Sequence, residues 1–141
     1  MRKTVFVLVG LLLTLTLVAA CGGGGGDAGQ TGGSGGATAA GGNVQAGETL
    51  FAQATIGANP GCKTCHSLDG SQLVGPTMQG YATRAGQRVA GQSADEYTRL
   101  SITDPNAHIV EGFAQGVMPS FKDGLNETQL NDLTAYLLSL N

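Results

Sequence analysis

Cys62-Lys63-Thr64-Cys65-His66 sets two thiols three positions apart, with an imidazole directly after the second. This spacing forms a haem-attachment site. One turn of backbone brings both sulfurs beneath the two vinyl groups of a porphyrin, where each forms a thioether. The next side chain then points at the iron as an axial ligand. Competing readings are weaker. A zinc site needs four ligands, and the remaining Cys and His, Cys21 and His108, stand far away in the chain. A dithiol redox pair is expected inside a βαβ pattern, and no such pattern surrounds this stretch.

The 141 residues suffice for one small domain with appendages. Twelve of the 24 glycines fall within residues 21–42, so residues 43–141 have a far more ordinary composition. Those 99 residues make only a modest core. A buried macrocycle would enlarge it and act as the staple that small scaffolds need. Without Arg2 and Lys3, five basic residues stand against ten acidic ones, a net charge near −5. That balance offers no basic patch for nucleic acid and no polybasic membrane binder. It suits a partner with a positive docking face, or simply a well-solvated surface. With Cys21 assigned to the leader's end and two thiols to the haem motif, none is left for a disulfide, even in an oxidising compartment.

Arg2 and Lys3 precede an apolar run of 14 residues, Val5 to Val18. The length suits a signal peptide over residues 1–20 and falls short of the roughly 20 residues that span a bilayer. The run ends Val18-Ala19-Ala20-Cys21, which resembles a bacterial lipobox. That resemblance implies cleavage before Cys21 and lipidation of its sulfur, against plain cleavage that releases a soluble protein. Several acyl chains anchor stably where one is marginal. Residues 21–42 thus comprise the anchor cysteine and a Gly-rich tether, too poor in apolar groups to fold. Its typical span is roughly 25 Å, and it would concentrate the domain near membrane partners.

Within 43–141, Asn43 caps an expected helix at about 44–53, with Gly47 and Phe51 on one face. A mid-helix Gly costs up to ~1 kcal/mol against Ala, and close approach by another helix would explain it. Residues 54–61 read as a loop with Asn59-Pro60-Gly61 turn chemistry, and 79–92 as an irregular loop. Ser93 and Glu96 form a capping box for a helix at about 94–103, stopped by Asp104-Pro105. Residues 106–125 are loop again. Asn126 and Gln129 form a second box for a helix at about 127–140, whose apolar stripe is Leu130, Leu133, Leu137 and Leu140. No run alternates with period two. The expected fold is all-α, three or four helices with long loops wrapped around one covalently attached haem.

The sixth iron position decides between electron transfer and ligand chemistry. Candidates are Met118, Met78, His108 and lysines. Pro119 fixes φ and forbids helix continuation, which suits Met118 to a loop crossing the far face of the haem. Met78 follows His66 by only 12 residues and reads as a core filler. His108 lies in a polar loop and reads as solvent-exposed.

Taken together, these features resemble a class I cytochrome c over nearly all of 43–141. The resemblance implies crossed N- and C-terminal helices, meeting where Gly47 and Phe51 face Leu133, Tyr136 and Leu137. It implies covalent attachment through Cys62 and Cys65 and iron ligation by His66. Gly75-Pro76 matches the segment whose Pro carbonyl accepts the proximal imidazole N–H, a bond that fixes the tautomer and raises basicity. Met118-Pro119 matches the methionine loop. Ser101–Asn106, Val110–Phe113 and Met118-Pro119 are most similar to cytochrome domains attached to oxidase subunit II, and membrane-anchored carriers are also close. The sequence has neither that subunit's membrane helices nor its copper-binding domain.

The function expected is electron transfer by a lipid-anchored carrier of haem c in the bacterial cell envelope, on the extracytoplasmic side of the membrane. The expected donor is a quinol-oxidising membrane complex, and the acceptor a terminal oxidase or photosynthetic reaction centre. The alternative is a haem enzyme or gas sensor with a vacant or labile sixth site, for which no distal acid–base pair is evident. Arg84 or Arg88 is a candidate partner for a haem propionate.

Overall fold

The computed structural model describes residues 41–141. The leader over 1–20, the lipidation candidate Cys21 and nearly all of the tether lie outside the described residues. The order is α1 (Val44–Ala52), β1 (Thr55–Ile56), β2 (Asn59–Pro60), a 3-10 turn (Cys62–Thr64), α2 (Tyr81–Ala85), α3 (Ala94–Thr103) and α4 (Glu127–Leu137). Long irregular segments separate the helices, as the sequence leads one to expect.

Caps written in the sequence start three of the helices. The Asn43 side chain accepts from the Ala46 N–H at 3.1 Å. Ser93 with Glu96 and Asn126 with Gln129 form reciprocal capping boxes, each satisfying two backbone donors left orphaned by helix geometry. The Ser93 N–H and hydroxyl donate to Glu96 Oε2 at 2.9 and 2.8 Å. These bonds hold the Glu96 carboxyl below its ordinary value. A depressed folded-state value stabilises the fold above the unfolded value and loses that effect as pH falls through the folded one. Glu96→Gln is therefore expected to lower stability modestly at neutral pH and to converge with wild type in acid, flattening the acid limb of a stability–pH curve measured by chemical denaturation.

The core forms where α1 crosses α4. Gly47 is buried against the α4 backbone, and the Phe51 and Tyr136 rings pack with centroids 5.5 Å apart at 54°. Leu50, Leu133 and Leu137 fill the space beside them. The Asn43 N–H donates to Asp132 Oδ1 at 2.7 Å, fixing the entry of α1 onto α4. Helix α4 ends at Leu137, short of Leu140. The chain end is still held, because the Ala82 N–H donates to the Leu140 carbonyl at 2.9 Å. Arg99 reaches from α3 to Glu127 and Asn131 on α4.

Two expectations are corrected. Residues 54–61 contain an antiparallel hairpin, Thr55 opposite Pro60 and Ile56 opposite Asn59. Strands of two residues are too short to display alternation. Within 79–92 the chain forms α2, whose five residues are too few for a helical period; Gly80 starts it at φ +64, a conformation glycine adopts without penalty. Helix α2 is secured to α3 by the Tyr81 hydroxyl, 3.0 Å from Thr98 Oγ1.

Candidate haem site

The 3-10 turn makes the thiol pair. Gly61 enters it with extended backbone, and a Cβ there would lie 2.8 Å from the Gln53 carbonyl carbon. Cys65 N–H then donates to Cys62 O at 3.1 Å, and His66 N–H to the same carbonyl at 3.0 Å. Side chains three apart eclipse in a 3-10 turn, so Cys62 and Cys65 face the same way. Both are free thiols. Burial, with Cys65 alongside, pushes the Cys62 thiol up to about 11 against its backbone hydrogen bond. A thiol-redox nucleophile needs the opposite, a lowered value. Among the described residues no three His, Cys, Asp or Glu gather as a metal cluster, which leaves the zinc reading without ligands.

His66 is buried at 7% exposure. Its Nδ1 lies 2.8 Å from the Pro76 carbonyl oxygen. A carbonyl only accepts, so Nδ1 carries the proton and Nε2 keeps its lone pair. Burial holds the ring below the ordinary histidine value, opposed by the Pro76 bond; the neutral form is the one that binds metal. Gly75 lies flat against the imidazole, and a Cβ there would stand 2.8 Å from Nδ1 and 3.0 Å from Nε2. Residues 75–78 are fastened beside 65–67 by Gly75 N–H to Cys65 O at 2.8 Å and Met78 N–H to Ser67 O at 2.7 Å.

A cavity of about 380 Å³ receives all of these groups, within the ~300–1,000 Å³ typical of cofactor sites. Cys62, Cys65, His66, Pro76 and Met118 line it together, though they span 57 residues of sequence. Phe51, Ile102, Phe121, Leu133 and Leu137 give it a largely apolar wall. Met118 is half-buried on a loop clasped at its end: Phe121 N–H donates to Ile102 O at 3.1 Å, and Asn59 Nδ2 to Ser120 O at 3.2 Å. Met78 also lines the cavity but is buried in the core cluster, as its reading as a filler requires. Two paired thiols, a tautomerically fixed imidazole, a thioether and an apolar enclosure fit a covalently held haem.

The family model for cytochrome c matches residues 44–141. The chain belongs to the cytochrome c family. No curated protein matches the chain. Family membership makes this cytochrome a carrier of covalently attached haem c, and the four α-helices with long loops among the described residues are the cytochrome c fold. Haem-based electron transfer is the activity that goes with it.

Other residues fall differently from expectation. His108 is half-buried and lines the cavity, edge-on to Tyr97 with centroids 5.7 Å apart at 75°; the turn after Pro105 carries it inward despite its polar neighbours. Neither Arg84 nor Arg88 lines the cavity. The Arg84 guanidinium is spent on the carbonyls of Thr77, at 2.8 Å, and Gln79. Tyr97, Thr98, Ser101 and Ile102 form the α3 wall of the cytochrome's cavity. Their one-three-one spacing is a helical stripe, but the polar Thr98 and Ser101 within it give it the look of an ordinary helix surface.

Proposed function

We propose that this cytochrome is a membrane-tethered, single-haem electron carrier with His66 and Met118 as its axial ligands. The observation that carries the reading is the one cavity shared by the thiol pair, the Pro76-held imidazole and the Met118 thioether. Bound haem supplies an iron centre that exchanges one electron between its ferrous and ferric states. The chain's own residues do the rest. Cys62 and Cys65 would hold the ring covalently, with the Pro76 carbonyl orienting His66 and raising its basicity. The Met118 thioether would serve as the second iron ligand, and such ligation would raise the reduction potential. The apolar wall excludes water, so little rearranges on electron transfer.

Lipidated Cys21 and the Gly-rich tether would hold the domain on the extracytoplasmic face of a bacterial membrane. There it would pass electrons from a quinol-oxidising complex to a terminal oxidase or photosynthetic reaction centre, as a mobile carrier or an oxidase-associated subunit. The resemblance of Ser101–Asn106, Val110–Phe113 and Met118-Pro119 to oxidase-attached domains motivates this pairing, and the acidic charge balance suits a basic docking face.

Intact-mass analysis of the membrane fraction tests the tether. The expected species begins at Cys21 and carries one haem and added acyl mass, and Cys21→Ser moves the protein to the soluble fraction. A soluble, unacylated wild-type protein would contradict it. Carrier function predicts a reversible one-electron titration and no turnover of hydrogen peroxide, whereas rapid peroxide turnover would make the protein an enzyme. Gly75→Ala is expected to drive a methyl against the His66 ring and disturb the Pro76 bond. Losing such an orienting contact costs on the order of 10–100-fold in metal affinity, so acid should detach His66 from ferric iron at a higher pH, read as the midpoint of the spectral change.

A further inference from the structure

Two asparagines hold the chain on either side of Met118, each acting two residues away from it. The Gly116 N–H donates to Asn106 Oδ1 at 2.9 Å, and the Ser120 carbonyl accepts from Asn59 Nδ2 at 3.2 Å. Between these ties, Val117, Met118 and Pro119 make no backbone hydrogen bond among the described residues. The two ties lead to different parts of the site. Asn106 belongs to the turn after α3, directly beyond buried Pro105. Asn59 lies in β2, three residues before Cys62, and the Gly61 N–H donates to Ala54 O at 2.8 Å where the hairpin runs into the thiol turn. The hairpin is itself well seated. Ile56 is 3% exposed within the core cluster, and a Cβ on Gly57 would lie 3.3 Å from Gly124 Cα. Asn59 thus joins the strand that delivers the first attachment cysteine to the loop that carries the methionine.

We propose that Asn59 and Asn106 are positioning residues that set how long the Met118 thioether stays on the iron, and that Asn59 is the stronger of the two. The inference rests on the His66/Met118 reading above. Attachment through Cys62 fixes the β2 strand relative to the ring, so the Asn59 bond holds the methionine loop against the same cofactor that Met118 ligates. For the thioether to leave, the 116–120 segment must swing outward, and both asparagine bonds oppose that movement. A neutral hydrogen bond favours the closed arrangement by about two- to twelvefold. Asn59 is half-buried and Asn106 is exposed, so water replaces the Asn106 bond more readily. The Ser120 hydroxyl, which donates to Thr103 O at 2.5 Å, and the Phe121 N–H, which donates to Ile102 O at 3.1 Å, secure the far end of the loop to α3. Neither of them ties it to the strand entering the thiol turn.

The test is rapid mixing of the ferric holoprotein with imidazole, followed by loss of the thioether-to-iron charge-transfer band. At saturating imidazole the observed rate is that of Met118 leaving the iron. This limiting rate is expected to rise roughly fivefold in Asn59→Ala and about twofold in Asn106→Ala. Asn59→Asp keeps the side-chain shape but, when ionised, offers only acceptors. It should be at least as fast as Asn59→Ala, because a carboxylate then faces the Ser120 carbonyl. Ile56 keeps the hairpin seated in all of these variants. Glu96→Gln, which weakens the fold at the α3 cap and leaves the loop untouched, should retain the wild-type limiting rate. Wild-type rates in both Asn59→Ala and Asn59→Asp would overturn the proposal. So would an equal acceleration in Glu96→Gln, which would trace the effect to general loosening. Absence of the charge-transfer band in ferric wild type would instead defeat the His66/Met118 reading, so the two failures are distinguishable.

Discussion

Met118→Ala is expected to open the sixth coordination position: the ferric protein loses its thioether-to-iron charge-transfer band, the reduced protein binds CO, and the reduction potential falls. Alanine has no donor atom, and no lysine lines the cavity to replace the sulfur. Met78 is the one other thioether in the wall. It is only 8% exposed, sits in the core cluster, and has its N–H bonded to Ser67 O at 2.7 Å in the segment beside His66. That tie keeps Met78 with the chain that carries the proximal ligand, so it does not swing across to substitute. The fold should survive in weakened form. Fully buried Met→Ala changes cost ~2–5 kcal/mol, and half-buried Met118 belongs at or below the lower end. An unchanged spectrum in Met118→Ala would transfer the ligand role to Met78.

The largest expected loss of stability is at the crossing of α1 and α4. A Cβ on Gly47 would overlap the Asp132 carbonyl and lie 2.7 Å from Tyr136 Cβ. Both obstacles are rigid, one helix backbone and one side-chain root, so the helices themselves must separate. Two effects compete in Gly47→Ala. Alanine gains up to ~1 kcal/mol in helix propensity, while overpacking costs ~1–3 kcal/mol or more. Because the clash is with backbone, overpacking wins. It also disturbs the Phe51–Tyr136 pair and the Asn43–Asp132 bond. A net loss of about 2 kcal/mol corresponds to roughly 8–16 °C in Tm for a domain of this size, measurable by calorimetry on the holoprotein. A Tm within about 2 °C of wild type would mean that Gly47 is merely tolerated.

The parts of this domain that were legible in the sequence are those specified by local chemistry. Asn43, Ser93 with Glu96, and Asn126 with Gln129 announce their helices because capping needs particular side chains at fixed offsets. Gly47 was readable as a contact because a mid-helix glycine is costly without one. The hairpin at 55–60 and helix α2 were not legible, since two-residue strands and a five-residue helix carry no periodic signal. They are held by tertiary bonds such as Tyr81 to Thr98. At the site, the attachment motif could be read from short-range pattern, whereas the role of Gly75-Pro76 came only from the resemblance to class I cytochromes c. The α3 wall could not, because Thr98 and Ser101 look like ordinary helix-surface residues until α2 and the 106–120 loop close over them. His108 shows the limit most plainly: polar neighbours suggest solvent, and only the path of the loop after Pro105 turns the ring toward the cavity.

The closed haem centre is tested most directly by exposing the ferrous wild-type holoprotein to CO at neutral pH, after recording its ferric spectrum. His66 and Met118 ligation predicts a thioether-to-iron charge-transfer band in the ferric form and no ready CO adduct in the ferrous form. Rapid CO binding, with that band absent, would contradict it and leave an open site suited to ligand chemistry.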